Sequence, residues 1–372
     1  MTWQNYLRTR TRQPEFLWRM VIWILAAGIG LGYVAEKIWQ PDTAVSNEQK
    51  AKQTEGWDHV EQLAEQGDWL QVWWKVRREI YWGYETWGPT ILATITGVCW
   101  LAFLLQSLQE RTLLNSRLWC SLVAVTLGVL SIWPTGFFIL WQEIGWGLRD
   151  SEELISGVRY NVFGIGLREE FAKLCCLLPL MPILLRWRSE LAALLISACV
   201  GLGFAITENV SYFSKHHSLS VAGRFIMANP LHIALTGLIG LSVYRALRNP
   251  SGWGPHTLGM FGVMVFAHGL YDAFIDLPAL QEYSIGVTII FALVIRQFFC
   301  ELRDLRKKRG DVVSLSANFL CGVSIVVAVT FVYLSATQGL TVAFESMVGS
   351  VFSLAVMVYL FLREMPETMV TV

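Results

Sequence analysis

Charge is scarce in this chain. Only 16% of its 372 residues are Asp, Glu, Lys or Arg, against roughly 25% in an average soluble protein. Acidic and basic residues balance at 29 each, so net charge is zero and nothing indicates a nucleic-acid partner. The seven cysteines (Cys99, Cys120, Cys175, Cys176, Cys199, Cys300 and Cys321) lie in or beside apolar runs, and the polar stretch 37–86 has none. With no CxxC either, a disulfide framework is not expected. The first apolar segment starts near Phe16 and lacks an AxA-like cleavage site. It therefore reads as a retained first helix rather than a signal peptide. Internal repeats, low-complexity tracts and HExxH are also missing.

Apolar length is what the chain has in excess. Hydrophobic residues make up 54%, and 17 tryptophans, many near the ends of apolar runs, suit aromatic belts at a membrane interface. Mean hydropathy is +0.46. The expected fold class is all-α: a polytopic helical membrane protein of about ten transmembrane helices with a four-helix catalytic core. Runs of roughly 20 residues, the length that spans a bilayer, occur at 17–36, 87–107, 118–141, 167–186, 191–213, 230–245, 257–274, 284–300, 313–336 and 341–362. They divide the chain into an N-terminal tail with the first helix (1–36), a loop (37–86), two helices (87–141), a core (142–274) and three C-terminal helices (275–372).

Loop charge sets the expected orientation. Alternate loops receive Arg8, Arg10 and Arg12; Arg111 and Arg117; Arg186 and Arg188; Arg245 and Arg248; and Arg303, Arg306, Lys307, Lys308 and Arg309. Loops 275–283 and 337–340 carry no Lys or Arg. The positive-inside rule then places both termini inside and 37–86 outside. Within that outer segment, Trp69, Trp73, Val76 and Ile80 share one helical face, which predicts an amphipathic helix anchored at the outer interface.

The few ionisable residues inside the apolar runs are not scattered. Arg19 and Arg296 sit near inner ends, where they can snorkel, and Glu345 lies near an outer end. The remainder fall in the fourth to seventh spans: Glu169, Glu170 and Lys173; Glu208 beside Asn209; His232; and His268 with Asp272. At about 1.5 Å rise per residue, all lie roughly 18–27 Å above the inner ends of helices that alternate in direction. That puts them in one outer-leaflet layer. Glu169 and Lys173 are spaced i,i+4 and can pair. His268 and Asp272 share that spacing, which lets the carboxylate orient the imidazole. Gly201 and Gly203 permit close helix approach near Glu208. A carboxylate base, imidazoles and an amide donor in a water-poor cavity can activate a water. His216 and His217 look metal-like as a pair but read as a solvated outer loop, as do His59 and His256.

These residues also spell known motifs. Glu169–Lys173 (EEFAK) fits EExxK, Phe204–Asn209 (FAITEN) fits FxxxEN, and His268–Asp272 (HGLYD) fits HxxxD. His232 follows an Arg and a Pro in RFIMANPLHIALTG. In this order the set resembles the PrsW family of intramembrane proteases, relatives of the CAAX-processing and bacteriocin-processing proteases, over roughly 167–274. The resemblance implies hydrolysis of a membrane-anchored regulatory protein near the outer face of a membrane, read here as the bacterial cytoplasmic membrane. Its catalytic set would be Glu169, Glu170, Glu208, Asn209, His232, His268 and Asp272, with Lys173 and Phe204 in support. CAAX-type relatives carry His where this chain has Glu208, so the metal question stays open. Zinc, if bound, would take Glu208, His232 and His268. The residues are weighted here toward glutamate chemistry without a committed cofactor, with Glu169 or Glu170 as base and His268 and Asn209 stabilising the oxyanion. An ion- or proton-coupled transporter and a non-catalytic membrane scaffold of protease ancestry are the competing readings.

Overall fold

A chain in hydrocarbon must satisfy its backbone N–H and C=O groups internally, and a helix does so within one segment. The computed structural model obeys this constraint throughout. It describes residues 2–38, 47–81, 84, 86–108, 115–215, 220–306 and 311–365; Arg111, His216, His217, Lys307, Lys308 and Arg309 lie outside them. Among the described residues there is no strand. In chain order the helices are α1 (Trp3–Arg10), α2 (Pro14–Ile38), α3 (Asn47–Glu65), α4 (Trp69–Ile80), α5 (Trp87–Ser107), α6 (Ser116–Leu140), α7 (Leu154–Arg159) and α8 (Leu167–Leu177). They continue with α9 (Met181–Trp187), α10 (Glu190–Lys215), α11 (Ser220–Arg248), α12 (Pro250–Asp276), α13 (Pro278–Gln281), α14 (Ile285–Leu305), α15 (Leu315–Gln338) and α16 (Leu340–Glu364).

Nine helices among the described residues are long and apolar enough to cross a membrane: α2, α5, α6, α10, α11, α12, α14, α15 and α16. Each covers one of the apolar runs. The remaining run, 167–186, is helical but not a single rod. A wide-turned stretch, Tyr160–Gly166, leads into α8, and a tight turn at Leu178–Leu180 joins α8 to α9. Pro179 lies within that tight turn and Pro182 is the second residue of α9. Each lacks the N–H that a continuous helix would use and crowds the preceding turn.

The centre of the bundle is the α10–α11 hairpin. Side chains from Ala192 to Ala205 on α10 and from Ile226 to Ser242 on α11 are all buried. Around this pair stand α5, α6, α8, α12, α14, α15 and α16, while α2 lies along α15. Two glycines set the spacing. A Cβ on Gly201 would stand 2.1 Å from the carbonyl oxygen of His232, and one on Gly203 would stand 2.0 Å from that of Val125. Their missing side chains bring α11 and α6 against α10 within two turns of Glu208, as expected.

The amphipathic segment behaves differently from expectation. Val72 and Val76 of α4 are fully buried, in a cluster with Val60, Leu63 and Ala64 of α3 and Leu140 of α6. Trp73 meets Trp133 at 4.9 Å and Trp69 meets Phe137 at 5.9 Å between ring centroids. The Tyr81 hydroxyl donates to the Val129 carbonyl at 2.9 Å. From Phe137 to Val129 is about 12 Å along α6. Helix α4 therefore packs across α6 between Trp133 and Leu140, with Val72 and Val76 against protein and Leu70 and Trp74 exposed. The chain then turns back along α10, where Tyr84 bonds Thr207 at 2.9 Å and Thr86 bonds Ser214 at 2.6 Å.

Close helix contact makes a testable demand. Gly201→Ala and Gly203→Ala should each destabilise the bundle by about 1–3 kcal/mol, the usual effect of overpacking. Gly262→Ala, where nothing lies within 4 Å of the new Cβ, should not. Thermal unfolding in detergent measures all three, and equal melting temperatures would refute the packing described.

Candidate active site

Four helices deliver the expected residues to one buried place. Helix α8 supplies Glu169, Glu170 and Lys173, α10 supplies Phe204, Glu208 and Asn209, α11 supplies His232, and α12 supplies His268 and Asp272. All nine side chains are buried. Helices that cross in alternating directions meet here because each carries its polar residues at the same height, so one buried layer satisfies them together.

Lys173 is the hub. Its ammonium lies 2.8 Å from Glu170 Oε1, 2.9 Å from His232 Nδ1 and 3.6 Å from Glu169 Oε2. It also sits 3.9 Å from the centre of the Phe204 ring, a cation–π contact that strengthens where water is excluded. The i,i+3 pairing with Glu170 is thus shorter than the expected i,i+4 pairing with Glu169.

An ammonium has only donors, which assigns the histidine tautomers. His232 Nδ1 must accept from Lys173, so its proton resides on Nε2 and is donated to Glu208 Oε2 at 2.7 Å. Both nitrogens of His232 are engaged. His268 Nδ1 donates to Glu170 Oε1 at 2.8 Å. Glu170 therefore holds one ring nitrogen of His268, while Asp272, the partner that the i,i+4 spacing suggested, faces the other, Nε2, at 3.4 Å.

The two adjacent glutamates are separated by their partners. Glu170 accepts through Oε1 from Lys173 and His268, and its Oε2 accepts from Thr236 Oγ1 at 3.5 Å. Glu169 Oε2 has no hydrogen bond among the described residues. It faces His268 Nε2 at 3.5 Å, and Asp272 Oδ2 faces the same nitrogen at 3.4 Å. Two carboxylate oxygens and a nitrogen lone pair therefore converge, which is unfavourable without a shared proton or a cation. The side chains of Glu169 and Glu208 keep about 10% and 7% exposure, more than Lys173 or Glu170 at 0%. Approach to the layer runs past those two carboxylates.

The donor set fits a metal ion. One ligand atom from each of Glu169, His232 and His268 lies within 4.8 Å of the others. The separations of 3.4 and 3.5 Å around His268 Nε2 match the spacing of about 3.3–3.6 Å between two atoms bound at 2.0–2.2 Å to a tetrahedral zinc. This group shares His232 and His268 with the Glu208, His232 and His268 of the sequence reading and has Glu169 in the place of Glu208.

Sequence reasoning passed over three residues that belong here. Thr236, one turn after His232, holds Glu170. Asn229, one turn before His232, accepts from Asn209 Nδ2 at 3.0 Å; both showed only the helical spacing of their positions. Arg168 is buried beside Tyr160, its guanidinium 5.5 Å from the ring, and Tyr160 donates to Glu143 at 3.1 Å. Its signal was a third charge adjoining the glutamate pair.

These roles separate in stability. Glu170→Gln removes the partner of a fully buried ammonium and should destabilise the protein by about 3 kcal/mol or more. Glu169→Gln should unfold close to the parent temperature. Indistinguishable melting curves for the two variants would contradict the division of labour.

Residues 115–296 match the family model described as PrsW family intramembrane metalloprotease. The match begins at α6 and ends within α14, taking in the whole motif set and extending the motif-based resemblance on both sides. No curated protein matches the chain, and no solved structure does. Over residues 115–296 the chain is therefore similar to the PrsW family of intramembrane proteases.

Proposed function

We propose that the protein hydrolyses a peptide bond of a membrane-tethered regulatory protein near the outer face of the membrane, with Glu169 moving the proton. One observation carries this reading: of the paired glutamates, only Glu169 presents an oxygen without a hydrogen bond, at the most exposed edge of a buried acid–base layer. An oxygen so placed can accept a proton from water, whereas both oxygens of Glu170 are already engaged.

The chain's own residues then divide the work. Lys173 anchors Glu170 and His232, and Glu170 holds His268 with its Nε2 turned toward Glu169 and Asp272. A water in this acceptor-lined place loses a proton to Glu169 as its oxygen bonds the scissile carbonyl carbon. When the tetrahedral intermediate collapses, the C–N bond breaks and Glu169 returns the proton to the departing amine. Glu208 and His232 brace the opposite wall.

Glu169, His268 and Asp272, with His232 beside them, would hold a zinc ion. Such an ion supplies a water of pKa near 7 and polarises a carbonyl. The convergence of acceptors at tetrahedral spacing, together with the family's description as metalloproteases, favours this metal-supported form over the metal-free glutamate chemistry weighted from sequence. In the metal-supported form Oε2 of Glu169 would be a ligand, so the proton would move through its other carboxylate oxygen.

Glu169→Gln should lower cleavage of a tethered substrate by about 10²–10⁴-fold, the usual effect of losing a positioned acid or base. A variant that cleaves like the parent would sink the assignment. Near-stoichiometric zinc in active protein, activity lost on chelation and restored by zinc, is the expected metal result. Metal-free active protein indifferent to chelators would return the site to glutamate chemistry alone. For topology, tags within 37–86 should label from outside, and tags after Arg306 only after permeabilisation. Same-side labelling would overturn the orientation.

A further inference from the structure

Hydrolysis of an amide places negative charge on the former carbonyl oxygen, and a buried donor must meet it there. The sequence suggested His268 and Asn209 for this task. In the structure the donor nitrogens of both are turned to other partners. His268 donates its Nδ1 proton to Glu170, and its Nε2 faces Glu169 and Asp272. Asn209 Nδ2 donates to Asn229 Oδ1. The other donors of the layer are also engaged: Lys173 with Glu170 and His232, His232 Nε2 with Glu208, and Thr236 with Glu170.

Two groups of this region keep buried donor nitrogens without a partner among the described residues: the Arg168 guanidinium, which lies beside Tyr160, and the neutral amide of Asn229. Asn229 is fully buried, and its Nδ2 has no protein partner among the described residues. An unmet buried amide N–H2 is costly, and a residue that merely glued α10 to α11 would be satisfied at both ends of its amide. Asn229 lies one turn before His232, so the two share a face of α11. Asn209, which holds its Oδ1, adjoins Glu208. The bond from Asn209 fixes which way the Asn229 amide is turned. The geometry points to Asn229 as the neutral oxyanion donor of this peptidase, a catalytic residue oriented by Asn209. This rests on the proposed peptidase reading. In the step itself, the C=O π pair moves onto oxygen as water's oxygen bonds carbon. Asn229 Nδ2–H then donates to that oxygen, without proton transfer, until collapse restores the carbonyl.

The test compares parent, Asn229→Asp, Asn229→Ala and Asn229→Ser in the full-length protein on a tethered substrate. Asn229→Asp keeps the acceptor that Asn209 uses and nearly the same volume, but replaces the donor with a carboxyl oxygen that is charged when ionised, and Asn229→Ala is the charge-free control. The expected result is kcat lower by about 10²–10³-fold and KM close to the parent's. Asn229→Ala should lose as much, and Asn229→Ser, which keeps a donor, should recover part. Affinity for a peptide phosphinate analogue should fall in parallel with kcat. If parent cleaves, Glu169→Gln does not, and Asn229→Asp and Asn229→Ala both turn over like the parent, the inference fails while the peptidase reading stands. Should Asn229→Asp not fold, the Ala and Ser pair decides, equal kcat in the two overturning the donor role. A parent that cleaves no tethered substrate removes both.

Discussion

A lysine ammonium with no access to solvent, Lys173, sits 2.8 Å from Glu170, 2.9 Å from His232 and 3.9 Å from the centre of the Phe204 ring. Most of the site follows from it. A lone charge at this depth would be strongly unfavourable, so the ammonium must be surrounded by acceptors and an aromatic face. Three helices provide them: α8 itself, α10 through Phe204 and α11 through His232. The same contacts dictate where the protons of both histidines reside. Charge neutralisation and catalytic pre-organisation are thus one arrangement.

The layer still has more negative than positive groups. Glu169, Glu170, Glu208 and Asp272 share it with one described ammonium. A buried excess of that kind is tolerated only if a proton or a metal ion joins it. The excess is concentrated around His268 Nε2, between Glu169 and Asp272, and the proposed chemistry is placed there. Glu170 and His232, although equally polar, are consumed by positioning. Adjacent glutamates in one motif therefore do different work, because residues 100° apart on a helix meet different neighbours.

Outside the layer the fold serves to hold four helices close at one height. Gly201 and Gly203 let α10 touch α11 and α6 backbone to backbone, and the α3–α4 hairpin wedges its valines and tryptophans against α6. The chain returning from α4 bonds Thr207, next to Glu208. The Trp-rich segment is thereby tied to α10, the helix that carries Glu208.

Sequence alone determined the helical, membrane-spanning class, the apolar runs, the depth of the polar layer and the identity of its motif residues. These depend on local quantities: apolar length, helical rise and residue type. Tertiary structure decided what depends on neighbours remote in the chain. Spacing within HGLYD pointed to Asp272 as the partner of His268, and Asp272 does face Nε2, but Glu170, 98 residues away, holds Nδ1 at the shorter distance. Asn229 and Thr236 looked like ordinary helix residues until α8 and α10 were set beside them. The break at Pro179 and Pro182 was present in the sequence, but a run of apolar residues outweighed it in the reading. The face of α4 was also legible, though not what covered it. Apolar faces bury equally well against lipid or protein, and only the packing of α6 distinguished the two.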